Sequence, residues 1–359
     1  MQQGIMVGCD LHDGTMVLRV LGAGKKVLGG VYVTGPNGRQ QMFEALKKES
    51  RKAGGVPIYL VYEASGLGFT LHDEAVKAGI QCFVLAPSKI EKSVKQRKNK
   101  TDAKDAEALL ELVKCHVLAG KEMPVIWIPG MELRDNRERV RERLELGAEA
   151  ARVKARIRSL LKRYELKVPE EAGKGWTKKA KAFLGKESQE STILGPGARA
   201  VLESLLRQME VLEKEAEELE KGFEDLAQKP QYQKPAEKLM ELKGVGLLTA
   251  LVFLTEMGEL SRFKNRRQVG SYVGLAPSVD ESGESGDRKG HITRHGSARL
   301  RKVLCQAVWS SIRHRGKERD FYEKLVEKNP RKKKIAVVAA MRRLAVKMWH
   351  VGVEAKRAA

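Results

Sequence analysis

No run of apolar residues in this chain reaches the roughly 18 positions that a membrane-spanning helix needs. The first residues, "MQQGIMVGCDLHDG", also lack the basic start and apolar core of a secretory signal. Both shortfalls lead to the expectation of a cytoplasmic protein with no membrane partner. Cysteine is sparse as well: Cys9, Cys82, Cys115 and Cys305 stand far apart and form no C-x-x-C pair. Neither a disulfide framework nor a zinc ribbon is indicated, and the thiols are expected to be reduced and mostly buried. Acidic residues are outnumbered, with 46 Asp plus Glu against 68 Lys plus Arg and a formal charge of +22. Such an excess favours a polyanionic partner, nucleic acid ahead of a membrane surface, and a nucleoid-associated location. The 359 residues are enough for two or three domains with ordinary cores.

What is present begins with β-like runs, "IMVGCD", "TMVLRVLG" and "KVLGGVYVTG". A helical stretch near 38–53 follows, then "VPIYLVYEASG", a helix near 68–79 and "QCFVLAPS". Strands first and strand–helix alternation afterwards predict a mixed sheet flanked by helices over residues 1–130. Beyond "MPVIWIPG" the chain turns to charged helix from Glu132 to about Leu166. Leu202, Leu205, Met209, Leu212, Ala216, Leu219, Phe223 and Leu226 then recur at alternating steps of three and four, an a/d seam over three heptads. Residues 131–232 are therefore expected to be a coiled-coil linker, either packed within its own chain or joining subunits into a dimer or tetramer. Residues 233–359 return to compact helix, interrupted by the Gly- and Ser-rich "GLAPSVDESGESGDRKGHITRHGS". The fold class expected is α/β plus α.

Two aspartates, Asp102 and Asp105, close the basic run "KQRKNKTDAKDA". At about 100° per residue they share a helix face with Ala106, Leu109, Leu110 and Val113, so they are expected to point inward. Asp10 ends the apolar run "IMVGC" and Glu63 ends "IYLVY", each where a buried strand emerges. Taken singly, each acid reads as a cap or turn residue. Together, Asp10, Glu63, Asp102 and Asp105 make four carboxylates at the rim of one sheet, a set that needs cations. Mg2+ or Mn2+ held by such oxygens can clamp the attacking and leaving oxygens of a phosphodiester. The flanking Lys95, Arg97, Lys98 and Lys100 are candidate nucleic-acid contacts.

A second constellation lies near the C-terminus. Between Gly286 and Arg319 ten Lys or Arg face only Asp287 and Glu318. Arg288, Lys289, Arg294, Arg299, Arg301 and Lys302 form the part of this patch expected to follow a phosphate backbone. Ser282, in "PSVDESGESG", could attack phosphorus beside that charge, although serine and glycine are also ordinary loop residues. His291 and His295, four apart without acids or cysteines at ligand spacing, are expected to face phosphate or solvent. The glycines of "LKGVGLLTALV" suit either a phosphate-binding hairpin or a plain helix–helix turn.

The motifs "GCDLH", "VYEASG", "RKNKTDAKDA", "LKGVGLLTA", "SRFKNRRQVGSYVGLAPSVDESG" and "GHITRHGSARLRKVL" resemble, in order, those of the IS110 family of insertion-sequence transposases. The resemblance covers both ends of the chain, while 132–230 matches only as coiled-coil helix. It implies an N-terminal RuvC-like, RNase-H-type domain whose four metal-binding catalytic acids fall on Asp10, Glu63, Asp102 and Asp105. It also implies a helical C-terminal transposase domain whose nucleophile falls on Ser282, five residues after Pro277 and followed by Gly283. Ser285-Gly286 is a second Ser-Gly pair three residues on, and Arg294 stands where the family often has lysine. By the same resemblance, donor and target double-stranded DNA and a structured bridge RNA are the partners, and the protein acts as a homo-oligomer. The rival expectation is a metal-dependent nuclease of the Holliday-junction type in which water attacks and Ser282 is structural.

Overall fold

The structure is a computed structural model that describes residues 4–22, 27–90, 101–282 and 285–358, with the side chains of 279–289 outside the description. Its contacts divide the chain into two compact units, Met1–Ile128 and Pro129–Ala359. The first boundary lies two residues from the expected one, and position 232 falls inside the second unit.

The first unit is built on a five-stranded sheet. Its strands are β1 (Ile5–Leu11), β2 (Thr15–Leu21), β3 (Val27–Val33), β4 (Ile58–Glu63) and β5 (Gln81–Leu85), in the order β3-β2-β1-β4-β5. β1, β2 and β3 form an antiparallel meander, whereas β4 and β5 run parallel to β1. The parallel part needs crossovers, and helices α1 (Pro36–Lys52) and α2 (Thr70–Lys77) lie between those strands in sequence. Ile5, Val7, Cys9, Leu60 and Tyr62 bury one face of the sheet with Met42, Leu46 and Leu71. Met6 and Val61 bury the opposite face against Leu109, Leu110 and Val113 of α3 (Asp102–Ala119). Period-two alternation thus assigns even positions of β1 and odd positions of β4 to the side that α3 covers.

Helices dominate the second unit: α4 (Met131–Arg163), α5 (Lys178–Glu190), α6 (Pro196–Glu220), α7 (Phe223–Gln228), α8 (Gln233–Met240), α9 (Leu247–Met257) and α10 (Arg266–Tyr272). Strands β6 (Pro277–Ser282) and β7 (Ser285–Ile292) follow, then α11 (Ala298–Arg313), α12 (Lys317–Lys328) and α13 (Lys333–Arg357). The heptad seam pairs within the chain. Leu202, Leu205 and Met209 of α6 pack on Val153, Ile157 and Leu160 of α4. Arg143 meets Glu220 at 2.7 Å and Lys154 meets Glu213 at 2.7 Å, so the two helices run antiparallel. The eight seam positions do not occupy one helix, because α6 ends at Glu220. Phe223 and Leu226 belong to α7 and join a different core with Val140 and Leu144. That core also takes Leu251, Phe253, Leu304 and Leu344, so the 33-residue α4 runs through both cores. Arg137 strengthens the connection by donating to the backbone oxygens of Thr255 at 2.6 Å and Glu256 at 3.1 Å. Those carbonyls end α9, where a cation meets the negative end of the helix dipole.

Leu202 is fully buried in the seam. Leu202→Ala is expected to lower unfolding stability by about 3 kcal/mol in urea denaturation, whereas Val211→Ala, on the exposed side of α6, should change it by less than about 0.5 kcal/mol.

Candidate functional site

Parity brings the acids of the first unit together. Asp10 lies on the even-numbered, α3-facing side of β1, and Glu63 lies on the odd-numbered side of β4 that faces the same way. Cys9 pairs with Tyr62 in parallel register, so Asp10 and Glu63 are the next residues along two neighbouring strands. Both sit at the carboxyl ends of those strands, the usual place for function in a parallel arrangement.

The other two acids arrive on α3. Thr101 caps the helix, its side chain accepting from the Lys104 N–H at 3.4 Å, which puts Asp102 and Asp105 in the first turn. Carboxylates there complement the positive end of the helix dipole. α3 can lie this close to β1 because residue 8 is glycine: a Cβ there would stand 2.1 Å from the Ala106 carbonyl oxygen and 2.3 Å from the Leu110 nitrogen.

Asp102 is not inward-facing, since 56% of its side chain is exposed, and Asp105 is only half-buried. Ala106, Leu109, Leu110 and Val113 are buried as the helical period predicts. Asp102 escapes that pattern because the first turn projects past the end of the strands, where there is no sheet left to cover it.

His12, which the sequence reading did not single out, completes the geometry. Its Nε2 lies 3.1 Å from Asp10 Oδ2 and 3.5 Å from Asp102 Oδ1. One donor atom from each of Asp10, His12 and Asp102 falls within 4.8 Å of the others. The signal in the sequence was the i, i+2 spacing of Asp10 and His12, with His12 one residue past the end of β1. Burial pushes the Asp10 carboxyl above its ordinary range; His12 opposes this, and the charges of Asp105 and Asp102 add to it. A crowded set of oxygen donors with one nitrogen, in which charge repulsion already raises a pKa, fits a divalent cation. Beside it an open cavity is lined by Leu11, His12, Gly14, Ser65 and Leu67.

In the second unit the Gly- and Ser-rich segment is not merely an interruption: β6 and β7 pair as an antiparallel hairpin with Ser282 opposite Ser285. Ladder hydrogen bonds come from the backbone, so a segment poor in β-branched residues can still pair. The side chains of Ser282, Arg288 and Lys289 lie outside the described residues, as do Lys95, Arg97, Lys98 and Lys100. Arg294, His291 and His295 are exposed. The other basic candidates are engaged within the unit. Arg299 pairs with Glu145 at 3.0 Å, Arg301 donates to the carbonyls of Val273 and Gly296, and Lys302 donates to that of Leu144. The "LKGVG" turn seats on α11: Gly244 has φ +93°, and a Cβ there would meet the Ala307 carbonyl oxygen at 2.3 Å.

Among the described residues no helix is long and apolar enough to cross a membrane. Residues 7–165 match the DEDD_Tnp_IS110 family, described as "Transposase", and residues 236–323 match "Transposase IS116/IS110/IS902 family". A Sinorhizobium fredii protein bearing the name transposase y4rJ is 29% identical over 346 residues, which cover 86% of this chain and 80% of that protein. The transposase for insertion sequence element IS1533 of Leptospira borgpetersenii is 24% identical over 311 residues, 86% of each chain. The pilin gene-inverting protein of Moraxella bovis is 31% identical over 116 residues, 32% of this chain and 36% of its own. The first match spans all four acids and the second spans the serine hairpin, and the chain belongs to the IS116/IS110/IS902 family of transposases, enzymes that act on DNA.

Proposed function

We propose that this transposase cuts and rejoins DNA of an insertion sequence with Ser282 as nucleophile and a divalent cation at Asp10, Glu63, Asp102 and Asp105. The observation that carries this reading is the convergence of Asp10 with the first turn of α3: His12 Nε2 lies 3.1 Å from Asp10 and 3.5 Å from Asp102, and burial, ahead of the charges of Asp105 and Asp102, raises the Asp10 pKa. The strand order β3-β2-β1-β4-β5 suits the RuvC-like, RNase-H-type fold that the motifs imply. Mg2+ or Mn2+ bound there would draw charge from the phosphodiester oxygens. The acids would hold and orient that ion, and the cavity beside His12 would give a strand room to approach.

The serine hydroxyl would attack phosphorus, lose its proton, and expel a DNA hydroxyl, leaving a phosphoserine ester. A DNA hydroxyl attacking that ester restores the phosphodiester and frees the serine, so no external energy source is required. Recombination suits the likeness to the pilin gene-inverting protein. A bridge RNA as guide rests on the motif resemblance, and the charge of +22 suits RNA and DNA as partners. Assembly into a dimer or tetramer is part of the same reading and rests on the motif resemblance.

A suicide substrate lacking its resolving strand tests the chemistry. A protein–DNA adduct that survives denaturing electrophoresis should form with wild type and with Ser285→Ala, and should be absent with Ser282→Ala. Cleavage that persists in Ser282→Ala without any adduct would replace this reading by water attack in a metal-dependent nuclease.

A further inference from the structure

We propose that His12 is itself a ligand of the cation held by Asp10 and Asp102, and that its imidazole nitrogen biases the site toward Mn2+ over Mg2+. The inference rests on the metal reading above and adds to it a residue that is not one of the four acids. Three observations carry it. The Nε2 atom stands 3.1 Å from Asp10 Oδ2 and 3.5 Å from Asp102 Oδ1. Adjacent ligands of an octahedral ion with bonds of about 2.1 Å are about 3 Å apart, a spacing that the His12–Asp10 hydrogen bond already has and that a shared ion would keep. His12 stands one residue past the end of β1, and its contacts put its ring on the same side as Asp10 and Asp102. Finally, His12 is half open to the cavity lined by Leu11, Gly14 and Leu67, so its ring has room to present a nitrogen without a backbone shift.

The chemistry gives the direction of the bias. Mg2+ is a small, hard ion that keeps its water and takes oxygen donors. An imidazole nitrogen is a softer donor that first-row transition ions accept more readily. To act as a ligand, Nε2 must carry its lone pair, with the ring proton on Nδ1. The competing role for His12 is a charged partner that neutralises two carboxylates. In that role its removal would strengthen binding of both ions together and leave their ratio unchanged.

The test is direct binding of the metal ions themselves. Mn2+ bound to the full-length wild-type protein is followed by electron spin resonance, and Mg2+ is titrated in competition. Wild type should show spin-echo modulation from a coordinated nitrogen, and His12→Ala should lose it. The Mn2+/Mg2+ affinity ratio should fall about tenfold in His12→Ala. His12→Asp, which restores a ligand but makes it oxygen, should still bind both ions with the ratio shifted toward Mg2+. An unchanged ratio and persistent nitrogen modulation in His12→Ala, with binding lost in Asp10→Asn, would overturn the role of His12 and leave the acid site standing. Wild-type Mn2+ binding in Asp10→Asn would overturn the acid site and this inference with it.

Discussion

Gly8→Ala is expected to destabilise the first unit by about 3 kcal/mol and to abolish strand cleavage, although residue 8 has no reactive group. A Cβ at this position would enter the backbone of α3, 2.1 Å from the Ala106 carbonyl oxygen and 2.3 Å from the Leu110 nitrogen. Helix backbone cannot turn aside as a side chain can, so the whole of α3 must lift from β1. Its first turn carries Asp102 and Asp105, and a shift of about 1 Å there is enough to spoil a catalytic arrangement. Urea unfolding and a cleavage assay on the same preparation check both effects. Gly14→Ala is the control for stability, because a Cβ there has nothing within 4 Å. If Gly8→Ala unfolds like wild type, the close approach of α3 to β1 is wrong.

Asp10→Asn is expected to reduce cleavage by roughly a thousandfold or more, a barrier increase of ~4 kcal/mol, while DNA binding persists. The effect on stability should have the opposite sign from a typical buried-site mutation. Burial raises the Asp10 pKa, and the neighbouring Asp105 and Asp102 charges raise it further against the pull of His12. A carboxyl with a raised folded-state pKa binds its proton more tightly when folded, so its contribution to stability improves as pH falls through that raised range and worsens toward neutral pH. Without metal at neutral pH, the neutral Asn removes this penalty, and the melting temperature should hold or rise. Added Mn2+ should then stabilise wild type and not the variant. A marked loss of metal-free stability in Asp10→Asn would show that the carboxylate is structural.

The residues of the candidate site differ in how far the sequence exposed them. The ends of the runs "IMVGC" and "IYLVY" marked Asp10 and Glu63, because a buried strand that stops at an acid is a local pattern. The helical period of Ala106, Leu109, Leu110 and Val113 located the packed face of α3 for the same reason. What a local pattern omits is where an element ends relative to its neighbours. Asp102 shares the buried face by angle, yet it is exposed, because the sheet stops short of the first turn of α3. His12 escaped notice because a histidine two residues after an aspartate means little until α3 brings Asp102 within 3.5 Å of it.

The same division holds in the second unit. The a/d seam was written in the spacing of Leu202, Leu205 and Met209. That the seam closes on Val153, Ile157 and Leu160 of α4, and that its last two positions move to α7, depended on the contact partners and the break after Glu220. Charge was legible as a total, but Arg299, Arg301 and Lys302 are tied to Glu145 and to three backbone carbonyls. The sequence alone determined the strand alternation, the helix faces and the basic character, since these depend on residues a few positions apart. The meeting of β1 with α3, the choice of seam partner and the engagement of the basic side chains were decided by tertiary structure, because each depends on groups distant in sequence that only the folded chain brings together.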